Sequence, residues 1–507
     1  MPVTTLRGVA PHAADPRATD AGPEPRPRVA EGRFARVLET SPFPILLVSL
    51  VGIVLLSVFA PSIVVGDTWL TLMAGREVLD HGLPHTEHLT ILGDGRTWTD
   101  QQWLAQVVFY AAHELAGMRA VILLGIALVL VALALVTATA RTSGASSRST
   151  FLIGFLAVLA GPWGWTLRAQ TTALPFYAGT LWLLIDASRR GVRRRTLLVL
   201  PLLVVWANLH GSVVLGAALT MLLGVVAMVC ARRLAWLPAT LVVLAPLCVL
   251  ASPYGTKLVA YYDLMLVDAP FADMLREWQW SRPDATTALF WLFAVIAAAL
   301  LASKRSRSRL TAYELLVLAV TFVGAVQAVR GVIWFALAAA AILPVALDGR
   351  LTREDIAAPR VNRMISVASL AALAVAALAF VVRPTSWYVS GWPERQVAAV
   401  RAATREPAVR LWATDGTADW LLWRIPDLRG RIAFDVRFEV FDKATLAEIE
   451  RYGQATGDWR ASLDGYRAVV VDHRTQFVTL ASERRAAVAY RDADIALVTR
   501  HADRGGR

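Results

Sequence analysis

The chain has 507 residues, of which 56% are hydrophobic and 18% are charged, and its mean hydropathy is +0.51. A soluble protein of this length would carry more charge. Several apolar runs reach the roughly 20 helical residues that cross a hydrocarbon core, so the composition indicates a multi-pass membrane protein with helical spans. The net charge of +12 does not indicate nucleic-acid binding, because the basic residues lie in short loops between apolar segments.

Residues 1–42 precede the first apolar run and are rich in Pro, Ala, Arg, Asp and Glu. Because this segment has no apolar periodicity, it is predicted to be a disordered cytoplasmic tail. It is not predicted to be a signal peptide, since the apolar region starts too late. The two cysteines, Cys230 and Cys248, lie in apolar runs and suit buried side chains better than a disulfide or a metal site.

Eleven spanning helices are predicted from the apolar runs. They cover residues 43–65, 118–140, 149–166, 171–188, 196–209, 211–231, 235–252, 285–303, 310–329, 331–347 and 364–382. The first helix ends just before Asp67, and a long loop, 67–117, follows it. These elements predict a transmembrane domain at 43–383.

Basic residues are distributed unequally between the two sides of this topology. The loops on the side of the N-terminus hold most of the Lys and Arg, including the run Arg193–Arg195, and the opposite loops hold few. Because cytoplasmic loops carry an excess of Lys and Arg, the N-terminus is predicted to be inside and the C-terminus outside. The plasma membrane is the predicted location.

Unusual polar and aromatic residues gather on the predicted outer side. They are Asp67, Arg168, Gln170, Asn208, His210, Tyr254, Glu277, Trp278 and Arg330. Polar groups at the ends of spans are costly unless they are paired or face a cavity. Their position on one side therefore predicts an extracytoplasmic reaction chamber at the membrane surface.

The long outer loop is predicted to contain two interfacial helices. Residues 68–80 have apolar residues at roughly helical spacing, and residues 98–110 carry Trp and Tyr, which suit the headgroup level. His81, His85 and His88 lie close in sequence to Glu87, but their spacing matches no common zinc pattern. A solvated turn is the preferred interpretation, so no metal ligand is predicted, although a divalent metal stays possible.

The first predicted span ends at an acidic residue, and a long outer loop with two predicted interfacial helices follows it. Several further motifs accompany this layout. They are Asp67-Thr-Trp69, Gly75, Gly82-Leu-Pro84 with Glu87, Trp98 with Trp103, Trp206 to Gly211, Pro253-Tyr254-Gly255, Glu277-Trp278 and Arg330. This pattern resembles the GT-C superfamily of membrane glycosyltransferases, and more closely a bacterial multi-pass family with the same layout. In the tail, Asp435-Val-Arg437-Phe-Glu439 stands where relatives tend to show an Asp-Gly-Arg-like signature, from which Val436 departs.

The resemblance implies a polyprenyl-phosphate sugar donor and an inverting displacement at the outer leaflet. Asp67 matches the position of the general base. Arg168, Arg330 and His210 are candidates for binding the donor phosphate. The implied substrate-binding residues are Trp69, Glu87, Trp103, Gln170, Asn208, Tyr254, Glu277 and Trp278. The partners implied are membrane lipids and an envelope glycan or protein acceptor.

Structural roles compete with these assignments. Asp67 would also serve as the N-cap of helix 68–80, and Arg168 would also reach the lipid headgroups. His210 would also satisfy the broken helix end at 208–211. The tryptophans are typical of the aromatic belt at a membrane interface.

Residues 384–507 are predicted to form a small extracytoplasmic α/β domain. Strand-like runs at 408–413, 431–435, 467–472, 486–490 and 494–499 alternate with helical patterns at 416–424, 442–453 and 475–484. This alternation predicts a mostly parallel sheet. Asp435 and Asp472 follow apolar strands, where such sheets place ligands.

Three functions are compatible with these features. The leading hypothesis is transfer of a sugar from a polyprenyl-phosphate donor to an envelope acceptor. A transporter or flippase of a lipid-linked substrate would favour charges near the midplane and internal repeats, and neither is clear in the sequence. A non-enzymatic scaffold that presents the C-terminal domain predicts that Asp67, His210 and Arg330 are scattered in space.

Overall fold

The computed structural model describes residues 33–232, 234–351 and 358–500. Most of the predicted tail, residues 1–32, lies outside this range. The end of the tail forms a helix, α1 (Arg33–Thr40). This helix packs against the helix at Pro359–Val382, where the Ser366 hydroxyl donates to the Leu38 carbonyl (2.7 Å).

The first half of the helical domain contains α2 to α9. They are α2 (Pro42–Val54, continued by a π-helical turn at Leu55–Phe59), α3 (Gly66–His81), α4 (Trp103–Thr142), α5 (Ser147–Ala160), α6 (Gln170–Arg190), α7 (Val199–Leu209), α8 (Val213–Ala231) and α9 (Trp236–Val249). The second half contains α10 (Lys257–Leu266), α11 (Ala288–Ala302), α12 (Lys304–Arg307), α13 (Ala312–Gln327), α14 (Val332–Leu347) and α15 (Pro359–Val382).

Each of the eleven ranges predicted to span the membrane overlaps one of these helices. Within the described residues, five helical segments are long and apolar enough to cross a membrane: Pro42–Phe59, Trp103–Thr142, Val213–Ala231, Val329–Leu347 and Pro359–Val382. Four more, α5, α9, α11 and α13, are apolar but shorter. A helical membrane protein is thus confirmed, whereas the number of spans stays a prediction.

Helix α14 is the central helix of the bundle. Nearly all of its side chains are buried, including the run Ala338–Ala341, and it packs against α4, α5 and α13. Small residues let helix backbones approach closely in a membrane, where packing replaces the hydrophobic drive. The ends of α14 are therefore fixed relative to the rest of the bundle.

The outer loop differs from its prediction in two ways. Helix α3 forms where expected but is not amphipathic, because Thr68 to Gly75 are all buried between α4 and α18 (Asp415–Arg424) of the C-terminal domain. The second helix begins at Trp103 rather than at Trp98. It continues into the next span through a break at Ala116 and Gly117, where the glycine adopts a φ of 64°.

The C-terminal domain contains α16 (Thr385–Tyr388), α17 (Glu394–Ala403), β1 (Leu411–Trp412), α18, α19 (Lys443–Gly453), β2 (Ala468–Val471), α20 (Arg474–Ala481), β3 (Ala486–Arg491) and β4 (Ala496–Arg500). Its sheet has the order β1-β2-β4-β3, and only β1 and β2 are parallel. The prediction of a mostly parallel sheet is wrong, because a tight loop at Asp492 folds β3 and β4 into a hairpin.

The predicted strand at 431–435 is replaced by isolated bridges. Ile432 bridges both Leu411 in β1 and Thr90 in the outer loop. A second contact joins the domains at two glycines: a Cβ atom on Gly66 would lie 2.6 Å from the Gly416 Cα atom. Only glycine permits this approach, and it brings the first turns of α3 and α18 together.

Candidate active site

A cavity of about 1050 Å³ lies where one end of the helical bundle meets the C-terminal domain. Seven of the residues singled out from the sequence line it together: Asp67, Arg168, Gln170, His210, Glu277, Trp278 and Arg330. They come from five separate parts of the chain. This placement contradicts the scattered arrangement that a pure scaffold would show.

Two hydrogen bonds place Asp67 beside Arg168. The Leu167 N–H donates to the Ile63 carbonyl (2.8 Å), and the Thr68 hydroxyl donates to the Leu167 carbonyl (2.6 Å). These bonds hold the start of α3 against the residues before α6. As a result, the Asp67 and Arg168 side chains line the cavity next to each other.

Arg168 is shared unequally between two carboxylates. Its Nη1 atom lies 2.6 Å from Glu277 Oε2 and 3.5 Å from Asp67 Oδ2. Glu277 is therefore the main counterion of Arg168, and Asp67 is held only loosely. The Asp67 side chain keeps 35% of its surface exposed, so its carboxylate is available to a ligand in the cavity.

Asp67 does not cap α3, so the prediction that it could be the N-cap of this helix is wrong. The N-cap is Val65, and Asp67 lies in the first turn of the helix. Among the described residues its carboxylate has one polar partner, Arg168. Its side chain is therefore free of the local backbone bonds that a capping aspartate makes.

The two carboxylates have opposite pKa shifts. Burial raises the pKa of Asp67, the nearby Glu277 adds to this, and Arg168 opposes it. Burial also favours neutral Glu277, but the charges of Arg168 and Arg330 outweigh it and lower the pKa of Glu277. The ionised form of Glu277 is thus favoured as the partner of Arg168, whereas Asp67 takes up a proton more easily than an ordinary aspartate. Two neighbouring carboxyl groups whose pKa values are shifted apart are typical of acid–base sites.

Arg330 lies at the break between α13 and α14. Its N–H donates to the Glu277 carbonyl (2.9 Å), and its guanidinium stacks on the Trp278 ring, 4.1 Å from the centroid. Within residues 33–232, 234–351 and 358–500, the guanidinium has no hydrogen-bond or salt-bridge partner. The fold thus holds a cation in the cavity wall by stacking alone and leaves its donors free.

His210 ends α7 and faces the same cavity. The Ser212 N–H donates to His210 Nδ1 (3.1 Å), which assigns the ring proton to Nε2. Burial and the charges of Arg330 and Arg168 lower the pKa of His210 well below its usual range. The ring is therefore a neutral hydrogen-bond donor rather than a cation.

Five predicted substrate-binding residues lie outside the cavity wall: Trp69, Glu87, Trp103, Asn208 and Tyr254. Trp103 donates from Nε1 to Asn208 Oδ1 (3.0 Å), and the Tyr254 hydroxyl donates to the Pro84 carbonyl (2.8 Å). Trp69 packs edge-on against Trp392. These contacts tie the outer loops together and do not face the cavity.

The histidines of the outer loop have separate neighbours. His81 lies beside Glu77, His88 contacts Asp94, and His85 packs edge-on against Tyr254. Within the described part of the chain, no group of three or more His, Cys, Asp or Glu residues is placed to hold a metal ion.

Residues of the C-terminal domain that were not predicted as site residues complete the cavity wall. They are Asp415, at the start of α18, and the segment Val436–Glu439. The Asp435-to-Glu439 motif was noticed in the sequence, but nothing in the sequence showed which part of the membrane domain it contacts.

The overall fold is similar to those of solved membrane proteins. The structure of ArnT from Cupriavidus metallidurans bound to undecaprenyl phosphate aligns with a TM-score of 0.51 and 16% identity, over 91% of this chain and 98% of that one. This chain has a GT-C-like fold. The apo Archaeoglobus fulgidus oligosaccharyltransferase aligns with a TM-score of 0.51 and 11% identity, over 89% of this chain and 72% of that one. No family model and no curated protein matches the sequence.

Proposed function

We propose that this GT-C-like protein is a glycosyltransferase of the plasma membrane. It transfers a sugar from a polyprenyl-phosphate donor to an envelope acceptor on the outer face, with its N-terminus inside. One observation carries the proposal: a loosely held carboxylate, Asp67, and an unpaired guanidinium, Arg330, line the same cavity. Sugar transfer from a phosphate needs both, one for the acceptor proton and one for the leaving group.

The donor phosphate fits the side of the cavity formed by the helical domain. Arg330 offers free guanidinium donors, which suit phosphate oxygens, and neutral His210 adds an N–H donor nearby. Apolar side chains of Met265, Leu266 and Leu275 line the same cavity and would accept the prenyl chain. The ArnT structure that shares this fold is bound to undecaprenyl phosphate, which supports this class of donor.

The reaction then needs one displacement. The acceptor hydroxyl gives its proton to the Asp67 carboxylate while its oxygen attacks the anomeric carbon. The bond between that carbon and the phosphate oxygen breaks, and polyprenyl phosphate leaves with the electron pair. Arg330 stabilises the phosphate charge, and Arg168 stays neutralised by Glu277. Attack opposite the leaving group inverts the anomeric configuration.

Transfer should depend on pH through Asp67. The base must be ionised, so activity is present above its folded pKa and is lost as the pH falls through it. Because that pKa is raised above 3.8, the acidic limb of the pH–rate profile is expected above the ordinary aspartate range. Initial rates between about pH 4 and 8 measure it. An acidic limb at or below the ordinary aspartate range would rule out this role for Asp67.

Donor binding can be tested without knowing the sugar. Undecaprenyl phosphate should raise the thermal midpoint of the purified protein, since a ligand at 100 times its Kd stabilises the folded state by about 2.7 kcal/mol. Undecaprenol, which lacks the phosphate, is the matched control and should raise it much less. An equal rise with both compounds would show that the cavity recognises only the lipid chain.

A further inference from the structure

The cavity has two chemically different sides. Arg168, His210 and Arg330, on one side, belong to the helical domain. Asp415 and the segment Val436–Glu439, on the other, belong to the C-terminal domain. Asp67 lies where the two domains meet, since its neighbour Gly66 contacts Gly416.

One arginine joins the second side to the outer loop. Arg437 donates from Nε and Nη2 to Asp435 Oδ2 (2.9 and 2.5 Å) and from Nη1 to Glu87 Oε2 (2.6 Å). Its guanidinium also stacks on Trp98, 4.2 Å from the ring centroid. Asp435 is in the C-terminal domain, whereas Glu87 and Trp98 are in the outer loop. Arg437 therefore contacts both domains at once.

The acceptors around Arg437 are themselves fixed. Glu87 Oε1 accepts from the Leu89 and Thr90 N–H groups (both 2.8 Å). Burial favours the neutral form of Glu87, but Arg437 and these hydrogen bonds outweigh it and lower the pKa of Glu87. The Arg437, Glu87 and Asp435 side chains are almost fully buried. Breaking a buried, hydrogen-bonded ion pair is strongly destabilising, because it leaves an uncompensated charge.

Backbone bonds continue this junction. The Ile91 and Leu92 N–H groups donate to the Ile432 and Ala433 carbonyls (2.8 and 3.0 Å), and the Gly430 N–H donates to the Leu89 carbonyl (2.9 Å). Residues 430–433, which precede the cavity wall, are thus hydrogen-bonded to residues 89–92 of the outer loop. The Arg437 ion pairs follow these backbone bonds and lie next to the cavity.

We infer that Arg437 is a positioning residue, which holds Val436–Glu439 as the acceptor-binding wall of the cavity. The inference rests on the proposed function. Arg330 and His210, the proposed phosphate-binding groups, lie on the helical-domain side, so an acceptor that attacks opposite the phosphate approaches from the C-terminal domain. The wall there carries the Asp415 and Glu439 carboxylates, which form no salt bridge within the described residues. It suits an acceptor rich in hydroxyl or amine donors, such as a saccharide.

The titration of Glu439 supports this acceptor class. Burial raises the pKa of Glu439 to about 7. Near neutral pH this carboxyl group can therefore accept or donate a hydrogen bond, which suits sugar hydroxyls. A phosphate group placed against it would instead meet unfavourable charge.

The test compares two arginines that join the same loop to the same domain. Arg437→Lys keeps the charge but cannot reproduce the fork to Asp435 and Glu87. Arg96→Lys is the matched control, because the Arg96–Asp442 pair (2.9 Å) is partly exposed, with 32% and 54% of the two side chains accessible, and such pairs contribute little. Three properties are measured for both variants. They are amide hydrogen exchange at residues 87–92 and 430–439, undecaprenyl phosphate binding, and rescue of the envelope glycan in a deletion strain.

For Arg437→Lys we expect faster exchange in both segments and glycan transfer lowered at least about 10-fold, the equivalent of about 1.4 kcal/mol. Undecaprenyl phosphate affinity should stay within about 2-fold, and Arg96→Lys should change nothing. If Arg437→Lys does not fold, Glu87→Gln replaces it as the test, because glutamine keeps the side-chain shape of glutamate. Glu87→Gln should likewise give faster hydrogen exchange and lower glycan transfer.

Two results would overturn the inference. Unchanged exchange and transfer in Arg437→Lys and Glu87→Gln would show that the buried ion cluster does not position the wall. Loss of phosphate affinity together with transfer would show that the cluster supports the donor side instead. If the wild-type protein neither binds undecaprenyl phosphate nor supports transfer, the proposed function fails, whereas the exchange data still decide whether Arg437 holds the segment.

Discussion

Replacing Asp67 with Asn is expected to lower sugar transfer by about 10²–10⁴-fold, the range that a positioned general base contributes. Asparagine has nearly the same shape but cannot take the acceptor proton. Arg168 keeps its closer partner, Glu277 (2.6 Å), so the cavity should stay intact and undecaprenyl phosphate affinity should change little. Transfer is measured as envelope glycan in a deletion strain that carries the variant.

Asp80→Asn provides the matched control for Asp67. Asp80 lies near the end of the same helix, is exposed, and is not part of the cavity wall. Its replacement should leave transfer unchanged. If Asp67→Asn restores the glycan as well as the wild-type protein does, Asp67 is not the base.

Replacing Arg330 with Gln is expected to weaken undecaprenyl phosphate binding by about 10–100-fold. Hydrogen bonds to charged groups contribute about 1.5–3 kcal/mol, and no carboxylate among the described residues forms a salt bridge with this guanidinium. The undecaprenyl phosphate affinity of Arg330→Lys should lie between those of the wild-type protein and Arg330→Gln, because lysine keeps the charge and loses the planar fork. The midpoint of thermal unfolding as a function of ligand concentration gives each Kd.

Arg282→Gln is the control for this charge effect. Arg282 is exposed, lies close in sequence to Trp278, and is not in the wall of the main cavity. An equal loss of affinity in Arg282→Gln would mean that general attraction to a basic surface, not a specific site at Arg330, binds the lipid phosphate.

The helical part of the fold could be predicted because long apolar runs have few structural solutions in lipid. Backbone groups in the hydrocarbon must be satisfied internally, so such runs become helices. The grouping of Asp67, Arg168, His210, Glu277 and Arg330 followed from their positions at the predicted outer ends of those helices. Hydrophobicity and loop charge were therefore enough to bring one site together.

Residue type alone could not separate ligand contacts from loop contacts. Trp103 and Asn208 bind each other, and Tyr254 binds the backbone at Pro84, although these side chains equally suit a sugar. The sheet was mispredicted for a similar reason, since apolar strands look the same in parallel and antiparallel pairs. The contact between Glu87 and Arg437 spans 350 residues, a distance over which no local pattern carries information.

The glycine contact between α3 and α18 has a consequence for the order of biosynthesis. A ribosome makes the chain from its N-terminus, so Gly66 and Asp67 exist long before Gly416 and Arg437. The cations of the cavity are thus in the membrane while its second wall is still unmade. A donor lipid that enters early would meet no acceptor wall, and the nascent protein would be inactive until its last domain has folded against the first loop.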